Sequence, residues 1–228
     1  MAEATATAKK SRNATATLRQ GPIAERVNRL REKAAEDPRA ARDEAWSWIE
    51  ELGRQAVSDR EGTLGELQEI FLCGEPAEEI DGQTEGELVT WTLNPVVDKA
   101  LGTITNAWMP WLGKKFYSQE KRGENTLTHS ARFASKLLWP MYSTGESPLG
   151  RTAFDFTTYV EAGRLDPTVD VLVIDYESVS SNPRLLIRQI RDELVQIVPG
   201  ANLGKMLVNV PRRRELLCAC YFALKSDI

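Results

Sequence analysis

Four residues of this sequence have side chains that could carry acid–base chemistry: Lys114, His129, Asp175 and Tyr176. His129 is the only histidine, and an imidazole is the usual general base near neutral pH. Asp175 and Tyr176 end an apolar strand pattern. If the protein is an enzyme, at least two of these four groups should lie within hydrogen-bond reach of each other. Structural or surface roles are the alternative for each.

The segment 108–117, with the sequence WMPWLGKKFY, is the densest aromatic cluster of the chain. Its aromatic residues and paired lysines could contact a membrane interface or stack on single-stranded nucleic acid. They could also line an apolar pocket with Lys114 or Lys115 as its polar group, or fill a barrel core while the lysines point to solvent. The pocket interpretation predicts these ligand contacts: Trp91, Trp111, Phe116, Phe156, Tyr176 and Tyr221.

Composition excludes several classes of function. No Walker loop, dinucleotide fingerprint, nucleophile elbow or zincin helix occurs. With 3 cysteines and 1 histidine, we expect no metal site and no cofactor. A net charge of -4 argues against a basic nucleic-acid binder. No segment approaches the roughly 20 apolar residues of a membrane span. Residues 1–20 lack the apolar segment of a secretory signal, so we expect a cytoplasmic location.

The N-terminal third of the chain has helical periodicity. Apolar residues recur every three or four positions over 23–34 and again over 41–56, which gives each segment one apolar face. Asp37 lies between the two segments as an N-cap candidate, followed by a proline suited to the first helical position. A capping box at Thr63 predicts a third helix over 64–72.

From Asp81 onward the period changes to two, which indicates strands. The predicted strands cover 88–93, 111–118, 153–160, 169–176, 191–198, 203–210 and 215–225. Residues 183–189 could form one helical turn that closes an end of a barrel, or continue as strand. The absence of helices between strands excludes a doubly wound nucleotide-binding fold.

The predicted fold class is therefore α+β, with N-terminal helices followed by an antiparallel β-barrel. We expect a disordered tail over 1–21, a helical segment over 22–73 and the barrel domain over 74–228. All but one of the charged residues between 63 and 100 are acidic, and this acidic stretch is typical of a solvated connector.

Several short motifs resemble the small barrel domains that are named for a GxWxG motif. The matching segments are Phe71–Leu88 with its Gly74, Pro76, Asp81-Gly82 and Gly86, then Gly113–Phe116, Asp175-Tyr176, Leu203-Gly204 and Tyr221–Leu224. The resemblance spans about residues 65–225. The GxWxG motif itself is absent, and the helical N-terminal third is additional. The resemblance implies a lipocalin-like (calycin-type) barrel and no particular reaction.

The leading functional hypothesis is a barrel that binds a small apolar or amphipathic ligand, such as a lipid or polyketide. A cofactor-independent cyclase, isomerase or hydrolase that works in the barrel cavity is the first alternative. A protein-interaction module is the second, and it predicts an exposed apolar patch at Trp46 or over 23–30. A peripheral membrane contact stays open, and no nucleic-acid partner is expected.

Overall fold

Three α-helices open the described part of the chain. A computed structural model of the protein describes residues 20–92, 111–128, 144–184, 186–210 and 215–228. The helices are α1 (Pro22–Glu36), α2 (Pro38–Gln55) and α3 (Arg60–Cys73). Among the described residues, no helix combines the length and the apolar character that crossing a membrane requires.

The predicted cap of α2 is confirmed, whereas that of α3 is wrong. Asp37 Oδ1 accepts a hydrogen bond from the backbone N–H of Ala40 at 3.0 Å, which satisfies a free donor of the first turn. α3 begins about one turn earlier than the capping box at Thr63 predicts. Asp59 caps this helix by accepting from the Gly62 N–H at 3.0 Å, and Thr63 lies inside the helix.

The described residues after α3 form one antiparallel sheet. Its strands are β1 (Glu75–Pro76), β2 (Gly82–Gln83), β3 (Glu85–Trp91), β4 (Trp111–Tyr117), β5 (Arg122–Leu127), β6 (Gly145–Ser147), β7 (Gly150–Ala162), β8 (Asp170–Asp175), β9 (Ile190–Val198), β10 (Ala201–Val210) and β11 (Glu215–Lys225). The three consecutive C-terminal strands are confirmed. Ile187–Gln189 form a 3₁₀ turn before β9, so the helical alternative applies to these residues.

The sheet curls into a nearly closed barrel because β2 and β3 pair with opposite edges. The strand order is β2-β4-β5-β7-β8-β9-β10-β11-β3. β2 pairs with β4, β3 pairs with β11, and only Thr84 separates β2 from β3. One short segment of chain therefore joins both edges. The predicted architecture of N-terminal helices followed by an antiparallel barrel is confirmed.

The sheet separates two hydrophobic cores, one on each face. In β8, Leu172 and Ile174 face an inner core within the barrel, whereas Val171 and Val173 face an outer core beneath the helices. This alternation follows from the period of two in a strand. The inner core contains these aromatic residues: Trp111, Phe116, Phe154, Phe156, Tyr176 and Phe222.

The helices bury the apolar faces that the sequence could offer to a partner. Trp46 is 5% exposed, and its Nε1 donates to Glu50 Oε1. Val27 and Leu30 are buried in the outer core with strands of the barrel. The exposed apolar patch expected at Trp46 or over 23–30 is therefore not found, because these side chains attach the helices to the sheet.

Candidate functional site

Lys114 lies in the inner core, fully buried. The register of β4 shifts between Trp111 and Gly113, and such a β-bulge changes which side chains face inward. Gly113 has φ 145°, and a Cβ at this position would lie 2.1 Å from the Thr84 carbonyl oxygen. The bulge thus directs Trp111 and Lys114, three positions apart, into the same interior.

Lys114 Nζ contacts three oxygen atoms from other parts of the barrel. It lies 2.9 Å from Asp192 Oδ2 in β9, 2.9 Å from Asn125 Oδ1 in β5 and 2.5 Å from the hydroxyl of Tyr176. The Tyr176 hydroxyl donates to Asp192 Oδ2 at 3.0 Å. Asn125, Tyr176 and Asp192 are also fully buried, and we call these four residues the inner cluster.

Aromatic rings surround the Lys114 amine. The ring centroids of Trp111, Phe156, Tyr176 and Phe222 lie 5.3–5.5 Å from Nζ. Trp111 and Phe222 pack edge to face, as do Phe156 and Tyr176. Aromatic faces attract a cation at these distances. The rings also keep the amine in an environment of low polarity, where each electrostatic contact is strengthened.

The backbone at Phe154 orients Asn125. Phe154 has φ 56°, a conformation that costs of order 1–3 kcal/mol for a residue other than glycine. Its carbonyl accepts a hydrogen bond from Asn125 Nδ2 at 3.1 Å, and Trp111 Nε1 donates to Asn125 Oδ1 at 3.2 Å. Because both ends of the amide are fixed, Oδ1 faces the Lys114 amine.

Burial and Asp192 act on Lys114 in opposite directions, and burial dominates. Removal from water lowers the pKa of Lys114 below its ordinary value of 10.5, and the Asp192 charge offsets part of this effect. Burial and the Asp192 charge together raise the pKa of Tyr176 well above its ordinary value. The amine therefore gives up its proton more readily than a surface lysine, whereas the phenol keeps its proton. This combination is typical of sites of acid–base or nucleophilic chemistry.

One carboxylate oxygen of the inner cluster accepts no hydrogen bond from the described residues. Asp192 Oδ1 is buried and has no hydrogen-bond partner among the described residues. A buried acceptor in this state costs free energy unless a water or a ligand donates to it. Cys220 is also buried in the inner core, and burial raises the pKa of its thiol well above the usual range. Within the described ranges, no group of three or more His, Cys, Asp or Glu could hold a metal ion.

The structure brings Lys114 and Tyr176 together and separates Asp175 from them. Asp175 shares a face of β8 with Val171 and Val173, as alternation predicts, but these valines belong to the outer core. The Asp175 carboxylate accepts from the Glu177 N–H at 2.8 Å and does not join the inner cluster. His129 lies outside the described residues, as do positions 108–110 of the aromatic segment.

The predicted ligand contacts lie at the inner core, with one exception. Four of them are buried in it and one packs against it: Trp111, Phe116, Phe156 and Tyr176, then Trp91. Tyr221 belongs to the outer core, where its hydroxyl donates to Gln68 Oε1 at 2.8 Å. The position of Tyr221 therefore does not fit the lining of the barrel interior.

Asn125 and Asp192 are not among the site residues that the sequence predicts. The sequence does contain a signal for Asp192, because this residue shares one face of β9 with Ile190 and Leu194, which both lie in the inner core. A carboxylate at an inward position of an apolar strand face is an unusual feature. Asn125 carries no such signal, because the sequence of β5, RGENTL, has no apolar strand face.

A second buried lysine lies on the other face of the sheet. Lys205 Nζ is 2.6 Å from Asp166 Oδ2 and 2.6 Å from Gln68 Oε1. Tyr221 donates to the same amide oxygen. These four residues, the outer cluster, connect α3 to β10, β11 and the loop after β7.

The surface near the barrel edge contains an open cleft of about 480 Å³. Its lining includes Gln83, Thr84, Leu112, Thr126 and Lys225. No side chain of the inner cluster lines this cleft. The cleft is therefore separate from the candidate site inside the barrel.

Comparisons with known proteins assign no family. No family model matches the chain, and no curated protein matches it. A crystal structure of a protein from Thermomonospora curvata is similar, with 14% sequence identity and a TM-score of 0.41. The match covers 79% of this chain and 98% of that chain. Similarity at this level assigns neither a family nor a function.

Proposed function

We propose that the barrel binds a small apolar or amphipathic molecule, lipid- or polyketide-like, next to the inner cluster. One observation carries this proposal: an amine, a phenol, an amide and a carboxylate are buried among aromatic rings inside the barrel. Ligand sites combine mostly apolar walls with a few fixed polar groups, and a barrel of about eight strands can hold one small ligand. The inner core has this composition.

The charges of the inner cluster favour an uncharged polar group on the ligand. Lys114 and Asp192 carry opposite charges at a distance of 2.9 Å, so an additional ionised group would have no counter-charge from this pair. A ligand hydroxyl could donate to Asp192 Oδ1, which has no donor among the described residues. A ligand carbonyl could accept from the Lys114 amine.

Cavity-enlarging variants test the proposal. Phe156 in the inner core and Phe71 in the outer core are both buried, so Phe156→Leu and Phe71→Leu remove similar volume from opposite faces of the sheet. We expect the protein to bind small phenols and alcohols saturably, and tryptophan fluorescence and native mass spectrometry measure this binding. Phe156→Leu should shift the preference towards larger ligands, because it widens the interior, and Phe71→Leu should leave the preference unchanged.

Two results would contradict the proposal. One is the absence of saturable binding across a size series of phenols, alcohols and ketones. The other is an equal change of ligand preference in Phe156→Leu and Phe71→Leu, since this would indicate a general loss of packing. Near-ultraviolet circular dichroism of each variant establishes that the tertiary packing is intact.

A cofactor-independent enzyme that acts in the barrel is the second candidate. The contact of 2.5 Å between Lys114 Nζ and the Tyr176 hydroxyl favours it, because a proton acceptor and a proton donor meet at one point. The activity is measured in D₂O, where NMR monitors the exchange of deuterium for the protons next to the carbonyl of a bound ketone. Tyr176→Phe should reduce the exchange rate while ligand binding persists, and an unchanged rate would count against the enzyme.

The other expectations from the sequence stay predictions. They are the cytoplasmic location, a protein partner at the helices, a peripheral membrane contact, the absence of a nucleic-acid partner and the relationship to GxWxG-type, lipocalin-like barrels.

A further inference from the structure

The contacts of the Lys114 amine suit a nucleophile as well as a counter-ion. Asp192 Oδ2 lies 2.9 Å from Nζ and can take a proton from the ammonium group. The Tyr176 hydroxyl lies 2.5 Å from Nζ and can donate to the nitrogen lone pair once the amine is neutral. The same positions therefore fit both protonation states of Lys114.

A structural ion pair does not account for this arrangement. A buried ion pair contributes little stability relative to apolar residues of similar volume. The strands that hold Lys114 and Asp192 already belong to one hydrogen-bonded sheet. A simple counter-ion also does not require the strained Phe154 carbonyl, which fixes the Asn125 amide.

We propose that Lys114 forms an imine with a small uncharged aldehyde or ketone inside the barrel. This inference rests on the proposed function, because the carbonyl compound is the ligand that the barrel binds. It adds a covalent step and a chemical class to that function.

The step balances with the groups that are present. The ammonium of Lys114 gives one proton to Asp192, and the neutral amine attacks the carbonyl carbon, so that a C–N bond forms while the C=O π bond breaks. Tyr176 donates a proton to the former carbonyl oxygen and regains one from the nitrogen. The hydroxyl group then leaves as water with the proton held by Asp192, and the C=N bond forms. The lysine ammonium and the carbonyl compound thus give a protonated imine, whose counter-ion is the Asp192 carboxylate, and water, with no oxidant or reductant.

The surroundings of the amine select the class of carbonyl compound. The aromatic rings within 5.3–5.5 Å of Nζ favour an apolar or aromatic substituent. In the described part of the inner core, Lys114 is the buried cation and Asp192 the buried anion. A carboxylate or phosphate on the ligand would therefore lack a counter-charge, and neutral aldehydes and ketones are preferred.

Reductive trapping tests the proposal on the full chain. The protein is incubated with benzaldehyde or propanal, cyanoborohydride reduces the imine to a secondary amine, and the modified lysine is located by peptide mass spectrometry. We expect Lys114 to be modified roughly tenfold more than Lys115, because a lower pKa leaves more neutral amine at neutral pH. Lys205, buried on the other face of the sheet, is the second internal reference.

Variants separate the roles of the cluster. Tyr176→Phe should slow the trapping at Lys114 by about tenfold or more, since general acid catalysis by the phenol is lost, while noncovalent affinity for p-cresol persists. Lys205→Arg is the matched control and should leave the trapping rate unchanged. The wild-type peptide map decides the outcome even where a variant fails to fold.

The outcomes distinguish the imine from the binding function. If p-cresol binds saturably but the label appears on surface lysines and not on Lys114, the imine proposal is wrong and the binding proposal stands. If no phenol, alcohol, aldehyde or ketone binds saturably and Lys114 is unmodified, both proposals fail. Selective modification of Lys114 that p-cresol suppresses by competition supports both.

Discussion

The two faces of the sheet hold the same chemical groups in different surroundings. The inner cluster combines a lysine, an aspartate, a tyrosine and an asparagine, and the outer cluster combines a lysine, an aspartate, a tyrosine and a glutamine. In both clusters the lysine amine lies within 3 Å of a carboxylate and an amide oxygen. Burial of a lysine beside these groups therefore does not by itself indicate a function.

What the clusters connect distinguishes them. The outer cluster joins α3 to two strands and a loop, and these elements share no backbone ladder with α3, so its hydrogen bonds hold separate pieces together. The inner cluster joins strands that the sheet already connects. Its contacts therefore join no element that the sheet leaves unconnected, and for this reason we propose that it has a role in binding and chemistry.

Removal of either lysine should have the largest effect. Lys114→Met and Lys205→Met each leave a buried aspartate without its cation, which costs about 3–5 kcal/mol. The free energy of unfolding in urea measures both. In the inner core, the double variant Lys114→Met with Asp192→Leu should recover most of the loss, because its neighbours are aromatic. A much smaller loss for Lys114→Met than for Lys205→Met would mean that the inner pair is not ionised.

Replacement of both Lys205 and Asp166, the ion pair of the outer cluster, should lower the local stability of α3 in particular. In Lys205→Met with Asp166→Leu, we expect amide hydrogen exchange over Arg60–Cys73 to accelerate by about tenfold, because a local opening free energy falls by roughly 1.4 kcal/mol. The corresponding inner double variant should leave exchange in α3 unchanged. An equal acceleration of amide exchange in both double variants would contradict the distinction between an outer cluster that holds α3 in place and an inner cluster that does not.

Replacement of the amide side chains, Asn125 and Gln68, should produce a smaller difference between the two clusters in the free energy of unfolding. Asn125→Leu removes the hydrogen bond to the Phe154 carbonyl and takes the Asn125 acceptor from the Trp111 indole N–H in a fully buried site, at a cost of about 1–3 kcal/mol. Gln68 is half-buried, so water can replace its hydrogen bonds after Gln68→Leu and the loss should be smaller. Urea unfolding of both variants tests this order, and the reverse order would contradict it.

The pH dependence of stability should show the smallest effect. The folded-state pKa of Lys114 lies below 10.5 because of burial. At a pH between the folded-state pKa and 10.5, the unfolded chain binds more protons at Lys114 than the folded protein does. The stability that Lys114 contributes therefore rises with pH. The difference in unfolding free energy between wild type and Lys114→Met should therefore increase as the pH rises towards 10.0, the ordinary pKa of tyrosine. A difference that is flat over this range would argue against a lowered pKa.

The division of the fold into helices and strands could be predicted from the sequence because it depends on local patterns. Apolar spacing of three and four residues predicts α1 and α2, and alternation predicts β7 to β11. The start of α3 differs from the predicted start because two residues that can cap a helix, Asp59 and Thr63, lie close together. Asp59 provides the cap that is used, and inside the helix the Thr63 backbone N–H and hydroxyl both donate to the Asp59 carbonyl.

The candidate site could be predicted only in part. The predicted site residues include Lys114, Tyr176 and three further aromatic residues of the interior, Trp111, Phe116 and Phe156, but neither Phe154 nor Phe222. The predicted ligand contact Tyr221 lies on the outer face of the sheet, and Asp175 shares that face. Alternation relates side chains within one strand correctly, but it does not say which face is inside. The helices decide this, because they cover the face that carries Val171 and Val173.

The sequence by itself determined the helices, most of the strands and the side chains available for chemistry, because these depend on neighbours along the chain. Only the tertiary structure decided which groups meet. The bulge at Gly113 turns Lys114 inward, the pairing of β4 with β5 places Asn125 beside it, and the curvature of the sheet brings Asp192 of β9 to the same amine. These contacts arise from register and curvature, which no local pattern encodes.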